Sequence, residues 1–146
     1  MQISIPESII FNPCADPLEI KKPNYGANEA QIRQYAAAKN LSIVFARKNQ
    51  VQVDIDAKDI PSNFDWMLAT VSKKYKVLGY AVTPSQSGNI HITVDFVETV
   101  TFEQALIIEA VLGGDTKRVG LRFVEGNDSF LFAVKKVTPI YTNYAA

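Results

Sequence analysis

Two short stretches hold the residues of this chain best suited to chemistry: Val53-Asp54-Ile55-Asp56 and Ser87-Gly88-Asn89-Ile90-His91. Side chains alternate along a strand with period two, so Asp54 and Asp56 share a face with Gln52. Carboxylates held this close repel, and a cation between them is the simplest way to keep both ionised. All-oxygen ligation suits Mg2+ or Mn2+, which commonly join a few carboxylates to the phosphates of a substrate. His91 is the only histidine of the chain. With Thr93 and Asp95 it alternates against Ile90, Ile92, Val94 and Phe96, so a second strand also has one polar and one apolar side. An imidazole on a neighbouring strand could bind a phosphate oxygen, and Lys117, Arg118 or Arg122 could neutralise more charge, as phosphoryl transfer requires. A wet sheet face carries polar residues at alternate positions in any case. It is their combination on two strands that points to chemistry.

These residues need a frame, and the pattern around them supplies one. Residues 50–56 read as a strand and 62–75 as a helix, with Ser62 as N-cap and Asp65 at the third helical position. Residues 76–83 and 90–96 read as strands joined by the turn Pro84 to Asn89. A second helix begins at Thr101, with Gln104 as its capping-box partner, and stops at Gly113 and Gly114. The stretches Arg118 to Val124 and Ser129 to Val137 read as two strands in a hairpin around Glu125 to Asp128. Strand, helix, strand, strand, helix, strand is the split βαβ, ferredoxin-like or RRM-like order. Right-handed crossovers place the first and third strands side by side at the sheet centre. Helices then cover the Val/Ile sides, and the open face presents Gln52, Asp54, Asp56, His91, Thr93 and Asp95. The fourth strand, beside the first, adds Arg118 and Arg122.

Ahead of this core, Pro6, Pro13, Pro17 and Pro23 break the first stretch into extended arms and turns, with a short strand near Ile3 to Ile5 or Ser8 to Phe11. A helix capped by Asn28, with Ile32, Tyr35 and Ala36 as its apolar stripe, and a strand from Leu41 to Ala46 follow. The expectation is one α+β domain over 1–146. It comprises an N-terminal extension (1–49, helix plus strand), an RRM-like βαββαβ core (50–125), and a C-terminal strand and tail (126–146) that closes the hairpin.

The pair of stretches resembles the archaeo-eukaryotic primase superfamily, which includes primase-polymerases and is built on an RRM-like catalytic core. Its first motif is a hydrophobic-acid-hydrophobic-acid strand, matched by Val53, Asp54, Ile55 and Asp56. Its second is a serine, often followed by glycine, shortly before a histidine, matched by Ser87, Gly88 and His91. The resemblance covers residues 50–125. It implies a metal-dependent nucleotidyltransferase acting in viral or plasmid DNA replication, with Asp54 and Asp56 on Mg2+ or Mn2+ and Ser87 and His91 on the incoming nucleotide. Lys117, Arg118 and Arg122 would add nucleotide contacts. A third acid completes the family's site, and either Asp115 or Asp95 could supply it. The stretch around Gly114-Asp115-Thr116-Lys117-Arg118 also looks like a pattern in short phage-encoded proteins.

Composition sets outer bounds. With 146 residues, 47% hydrophobic and 21% charged, the chain can bury a real core. Lys+Arg and Asp+Glu are 15 each, so bulk charge makes no case for nucleic acid, and the clusters at Lys73 to Lys76, Lys117/Arg118 and Lys135/Lys136 read first as solvated faces. The single cysteine, Cys14, excludes an intrachain disulfide or a cysteine zinc cluster and fits a reducing compartment. No run approaches the roughly 18 apolar residues of a membrane span, and the first residues do not read as a secretory signal, so a cytoplasmic protein is expected. Expected partners are a nucleotide and DNA, with replication proteins or a second copy beside them. The alternative is a non-catalytic nucleic-acid-binding or assembly module on the same topology. A rolling-circle nickase is disfavoured, since His91-Ile92-Thr93 lacks the second histidine.

Overall fold

The computed structural model describes residues 29–126, 129–135 and 139–144. The expected short N-terminal strand, the proline-rich arm, Cys14 and the Asn28 cap lie outside them. In chain order the elements are α1 (Glu29–Ala38), β1 (Leu41–Phe45), β2 (Gln50–Ile55), α2 (Phe64–Ser72), β3 (Val77–Pro84), β4 (Ile90–Phe96), α3 (Phe102–Val111), α4 (Thr116–Glu125), β5 (Phe130–Val134) and β6 (Ile140–Asn143). The fold is α+β, with four helices and two antiparallel sheets among the described residues.

The alternation in β2 and β4 decides the main sheet. Val51, Val53 and Ile55 share a core with Ile90, Ile92, Val94 and Phe96, closed by Phe64, Leu68 and Val71 of α2 and by Ile108 and Leu112 after the α3 start. Burying one face fixes the register, because a one-residue slip would send every valine to the wrong side. Asp54 consequently stands opposite His91, Gln52 opposite Thr93 and Gln50 opposite Asp95. The strand order is β2-β4-β3-β6, all pairs antiparallel. Thus β4 lies between β2 and β3, the two strands that α2 connects. At the far edge, β6 packs so closely on β3 that a Cβ at Gly79 would come within 2.5 Å of the Tyr141 hydroxyl and 2.6 Å of the Thr142 carbonyl. Only glycine fits there.

Helix starts divide into one expected and one not. The α3 capping box forms: the Gln104 N–H donates to Thr101 Oγ1 at 3.2 Å, and the Thr101 N–H donates to Gln104 Oε1 at 2.9 Å. At α2 the N-cap is Asn63, without a side-chain cap bond, rather than Ser62.

The stretch Arg118 to Val124 is not the fourth strand. It lies within α4, capped by Asp115, whose side chain accepts from the Lys117 N–H at 3.4 Å, and ended by Gly126 with φ 72°. Its apolar residues suggest a strand, yet Phe123 is 74% exposed while Arg118 and Arg122, one helical turn apart, are buried. Four-residue spacing puts the two arginines on one helix face, and what they bury against is a carboxylate. As a result β2 is an edge strand, not a central one, and α4 occupies the space beside it. The Asp115 N–H donates to the Asp54 carbonyl at 2.9 Å, and Arg118 Nη1 donates to the Gln52 carbonyl at 3.3 Å. A helix thereby satisfies acceptors that a sheet edge would otherwise leave open.

Without that strand, the expected hairpin is absent too. β5 pairs instead with β1, from Leu41↔Val134 to Phe45↔Phe130, as a separate two-stranded sheet. This unit has its own small core of Ile32, Tyr35, Ala36, Leu41, Phe130 and Phe132.

Between the two cores lies a buried polar network. Arg118 Nη1 donates to Glu109 Oε1 and Arg122 Nη1 to Glu109 Oε2. Arg118 Nη2 donates to Ser129 Oγ at 2.8 Å and to the Phe130 carbonyl at 3.3 Å, and Ser129 Oγ donates to Gln52 Oε1 at 2.7 Å. Gln52 Nε2 continues to the Val44 carbonyl at 2.9 Å. Burial pushes the Glu109 carboxyl above its ordinary value, against the pull of the Arg118 and Arg122 charges. Removing that carboxylate would strand two guanidinium groups in a dry site. Glu109→Ala is expected to cost about 3–5 kcal/mol in equilibrium urea unfolding. Replacing Glu109, Arg118 and Arg122 together with apolar residues of similar volume is expected to cost far less.

Candidate functional site

The turn between β3 and β4 delivers the first part of the site. The Ser85 N–H donates to the Asn89 carbonyl at 2.7 Å and the Gly88 N–H to the Ser85 carbonyl at 3.1 Å, with Gly88 at φ 90°. A positive φ at this point suits glycine. Ser85 Oγ and Ser87 Oγ share a hydrogen bond of 2.9 Å, and two residues beyond the turn comes His91. Across the β2–β4 ladder, His91 Nε2 lies 3.5 Å from Asp54 Oδ1, with side-chain exposures of 8% and 30%. The two form an ion pair whenever the imidazole is protonated.

The passage from α3 to α4 delivers the second part. The Gly114 N–H donates to the Glu109 carbonyl at 2.9 Å, and a Cβ on Gly114 would meet Glu109 Cγ and its carbonyl oxygen at 2.9 Å. The chain therefore turns hard against α3 and brings Asp115 onto the edge of β2, where its N–H meets the Asp54 carbonyl.

Both parts line one cavity of about 640 Å³. Asp54, Ser87, His91, Asp115 and Lys117 contribute polar walls, together with Ser85, Gln86 and Arg118. Tyr35, Phe130, Leu131 and Phe132 from the second sheet unit, with Leu121 of α4, give an apolar wall. The volume lies within the roughly 300–1,000 Å³ usual for small-molecule sites.

Several expected residues stand elsewhere. Asp56 follows the end of β2, is exposed, accepts from Asn89 Nδ2 at 3.0 Å, and is not part of the cavity lining. Asp95 sits further along β4, where its carboxylate accepts from Gln50 Nε2 at 2.9 Å and from the Tyr141 hydroxyl at 3.3 Å. Of the two choices for a further acid, Asp115 is the one that shares the cavity with Asp54. Arg118 lines the cavity but its guanidinium is engaged inside the fold, and Arg122 is buried on the far side of Glu109; neither stands on an open sheet face. Nor is that face bare. Gln52 and His91 are buried, because the β1–β5 unit and α4 pack around this end of the sheet.

The cavity residues that pattern reading passes over are Ser85, Gln86, Leu121 and the wall from α1 and β5. Gln86 Nε2 donates to the Tyr35 hydroxyl at 3.1 Å, linking the β3–β4 turn to α1. Tyr35 is legible as part of the α1 stripe, but no local pattern pairs it with a turn 51 residues away.

Among the described residues, no group of three or more His, Cys, Asp and Glu side chains is arranged to hold a metal ion. What Asp54 and Asp115 offer is a pair of hard oxygen donors on adjoining backbone. Two carboxylates are fewer ligands than a protein-only cation site uses, so a hard cation such as Mg2+ or Mn2+ would need further oxygen donors from outside the chain. Comparison with known proteins finds no matching family model, no matching curated protein and no matching solved structure. Among the described residues, no helix is long and apolar enough to cross a membrane.

Asp115 has two separable jobs, capping α4 and presenting charge to the cavity. Asparagine caps about as well as aspartate, whereas alanine forfeits about 0.5–2 kcal/mol. Asp115→Asn is expected to keep the parent's thermal and urea midpoints, and Asp115→Ala to lower both.

Proposed function

We propose that this chain is a metal-dependent nucleotidyltransferase domain of the primase/polymerase kind, or a degenerate relative of one, acting on DNA in viral or plasmid replication within the cytoplasm. The observation that carries the reading is convergence. Asp54, Ser87, His91, Asp115 and Lys117, chosen for phosphate chemistry from separate parts of the chain, line a single cavity. In this reading Asp54 and Asp115 hold Mg2+ or Mn2+, His91 and Ser87 meet the nucleotide's phosphates, and Lys117 supplies further positive charge at the rim. A bound metal would polarise a phosphoryl oxygen and neutralise developing charge. The chain's own groups bind and orient: His91 is held by β4 opposite Asp54, and the serine turn is tied to α1 through Gln86. The apolar wall gives a planar base a place to sit, away from the acids. The β2–α2–β3 unit with β4 inserted supports a variant of the RRM-like core in which α4 takes the fourth strand's place.

A second reading has its own observation. Asp56 stands outside the cavity, leaving two acids where the resemblance implies three, which favours a nucleotide- or nucleic-acid-binding module without turnover.

Isothermal titration with a nucleoside triphosphate, with and without Mg2+ or Mn2+, tests the reading. Asp54→Asn and His91→Ala are each expected to weaken metal-nucleotide binding roughly tenfold or more, the loss of one charge-assisted contact of about 1.5–3 kcal/mol. Variants that bind metal and nucleotide like the parent would refute it. Binding without nucleotide incorporation on a primed template selects the module over the enzyme.

A further inference from the structure

A second cavity, of about 410 Å³, also borders the buried Arg118–Glu109–Arg122 network. Arg118 lines the first cavity and Arg122 the second, and both grip the same carboxylate. The charge balance of the two cavities differs. The first sets Asp54 and Asp115 against Lys117 and Arg118, with His91 between. The second is lined by Arg47, Lys48 and Arg122 and by no aspartate or glutamate. Arg122 is buried and paired with Glu109, so the exposed cations of this cavity are Arg47 and Lys48.

Its other walls are uncharged, with Gln50, Gln52, Thr101 and Ser129 beside apolar groups. Val100, Phe102 and Ala105 are half-buried along the start of α3, and the Arg122 guanidinium carbon lies 5.7 Å from the centre of the Phe102 ring. Arg47 and Lys48 are presented by a turn whose backbone is pinned independently of their side chains. The Gln50 N–H donates to the Arg47 carbonyl, the Arg47 N–H to Gln50 Oε1, and the Val100 N–H to the Lys48 carbonyl, each at 2.9 Å. Both side chains are therefore free of structural duty in the turn and exposed at the cavity rim.

We infer that this second cavity binds the sugar-phosphate backbone of a single-stranded nucleic acid, with Arg47 and Lys48 on phosphates and the Phe102 wall against sugar or base. Clustered cations beside an aromatic surface, without carboxylates, are what a single strand demands: charge along the backbone and a π-face for the base. That the ligand is nucleic acid rather than another polyanion rests on the nucleotidyltransferase reading. That a polyanion binds here does not. The two cavities share no lining residue and are linked through Gln52, Ser129 and the arginine pair, so one fold holds a strand and a nucleotide at separate places.

The test is fluorescence anisotropy of a fluorescein-labelled oligothymidylate between 50 and 200 mM salt, with the parent and the Arg47→Ala/Lys48→Ala variant, beside the metal-nucleotide titration on both proteins. The double variant is expected to keep its urea midpoint and its nucleotide affinity, to bind the oligonucleotide roughly tenfold more weakly, and to show a log-log salt slope shallower by about 1.4, some 0.7 for each cation removed. Equal oligonucleotide binding by parent and variant, or none by the parent, overturns the inference. Inorganic polyphosphate competing as well as unlabelled oligonucleotide overturns the assignment to nucleic acid. If nucleotide binding fails while the oligonucleotide loss appears, the nucleotidyltransferase reading falls and the strand site stands.

Discussion

One buried carboxylate joins the parts of this protein. Glu109 on α3 receives Arg118 and Arg122 from the next helix, and Arg118 then reaches β2 through the Gln52 carbonyl and the second sheet through Ser129 and the Phe130 carbonyl. Charges taken out of water this far are tolerated only with close partners, and here two guanidiniums share one carboxylate while Arg118 adds neutral acceptors. The network accordingly allows few alternative arrangements of its helices and strands. A purely apolar contact between the two cores could slide, whereas a forked guanidinium against carboxylate and carbonyl oxygens has one geometry. The cost of dehydrating these groups is offset by directionality, and the relative placement of the two sheets follows from it.

That placement makes the first cavity two-sided. Acids, serines, lysine and histidine come from β2, the β3–β4 turn, β4 and the α4 start. Aromatic and aliphatic groups come from α1 and β5, elements with their own small core. Neither sheet alone would provide both surfaces. The cavity thus sets an ionisable side against an apolar one.

What could be read from residue order was what is local or strictly periodic. The α3 capping box depends on residues three apart, and it formed as spelled. The alternation of β2 and β4 told which face meets α2 and α3, and put Asp54 and His91 on the other face of neighbouring strands. Where the reading failed, the deciding contact was remote or polar. Arg118 and Arg122 form the buried stripe of α4, but a stripe of arginines looks like a wet face until their partner, nine and thirteen residues back, is known. Valine, leucine and phenylalanine in the same stretch weigh toward a strand, and the capping Asp115 with the terminal Gly126 was the signal that argued otherwise. The β1–β5 pairing joins segments far apart in the chain with only generic apolar character, and nothing in either names the other. Asp56 obeyed the alternation but fell one residue beyond the ladder, where its carboxylate turned to Asn89.

The hydrogen bond from the Asp115 amide to the Asp54 carbonyl has a meaning for how such a protein can change over generations. It ties two cavity-lining acids through main chain, which substitution does not touch. Side chains at 54 and 115 can be exchanged while their Cα atoms keep their spacing, so the frame persists as its contents vary. A lineage could lose an acid or gain an amide here without first having to rebuild the fold. The geometry is inherited separately from the chemistry it displays.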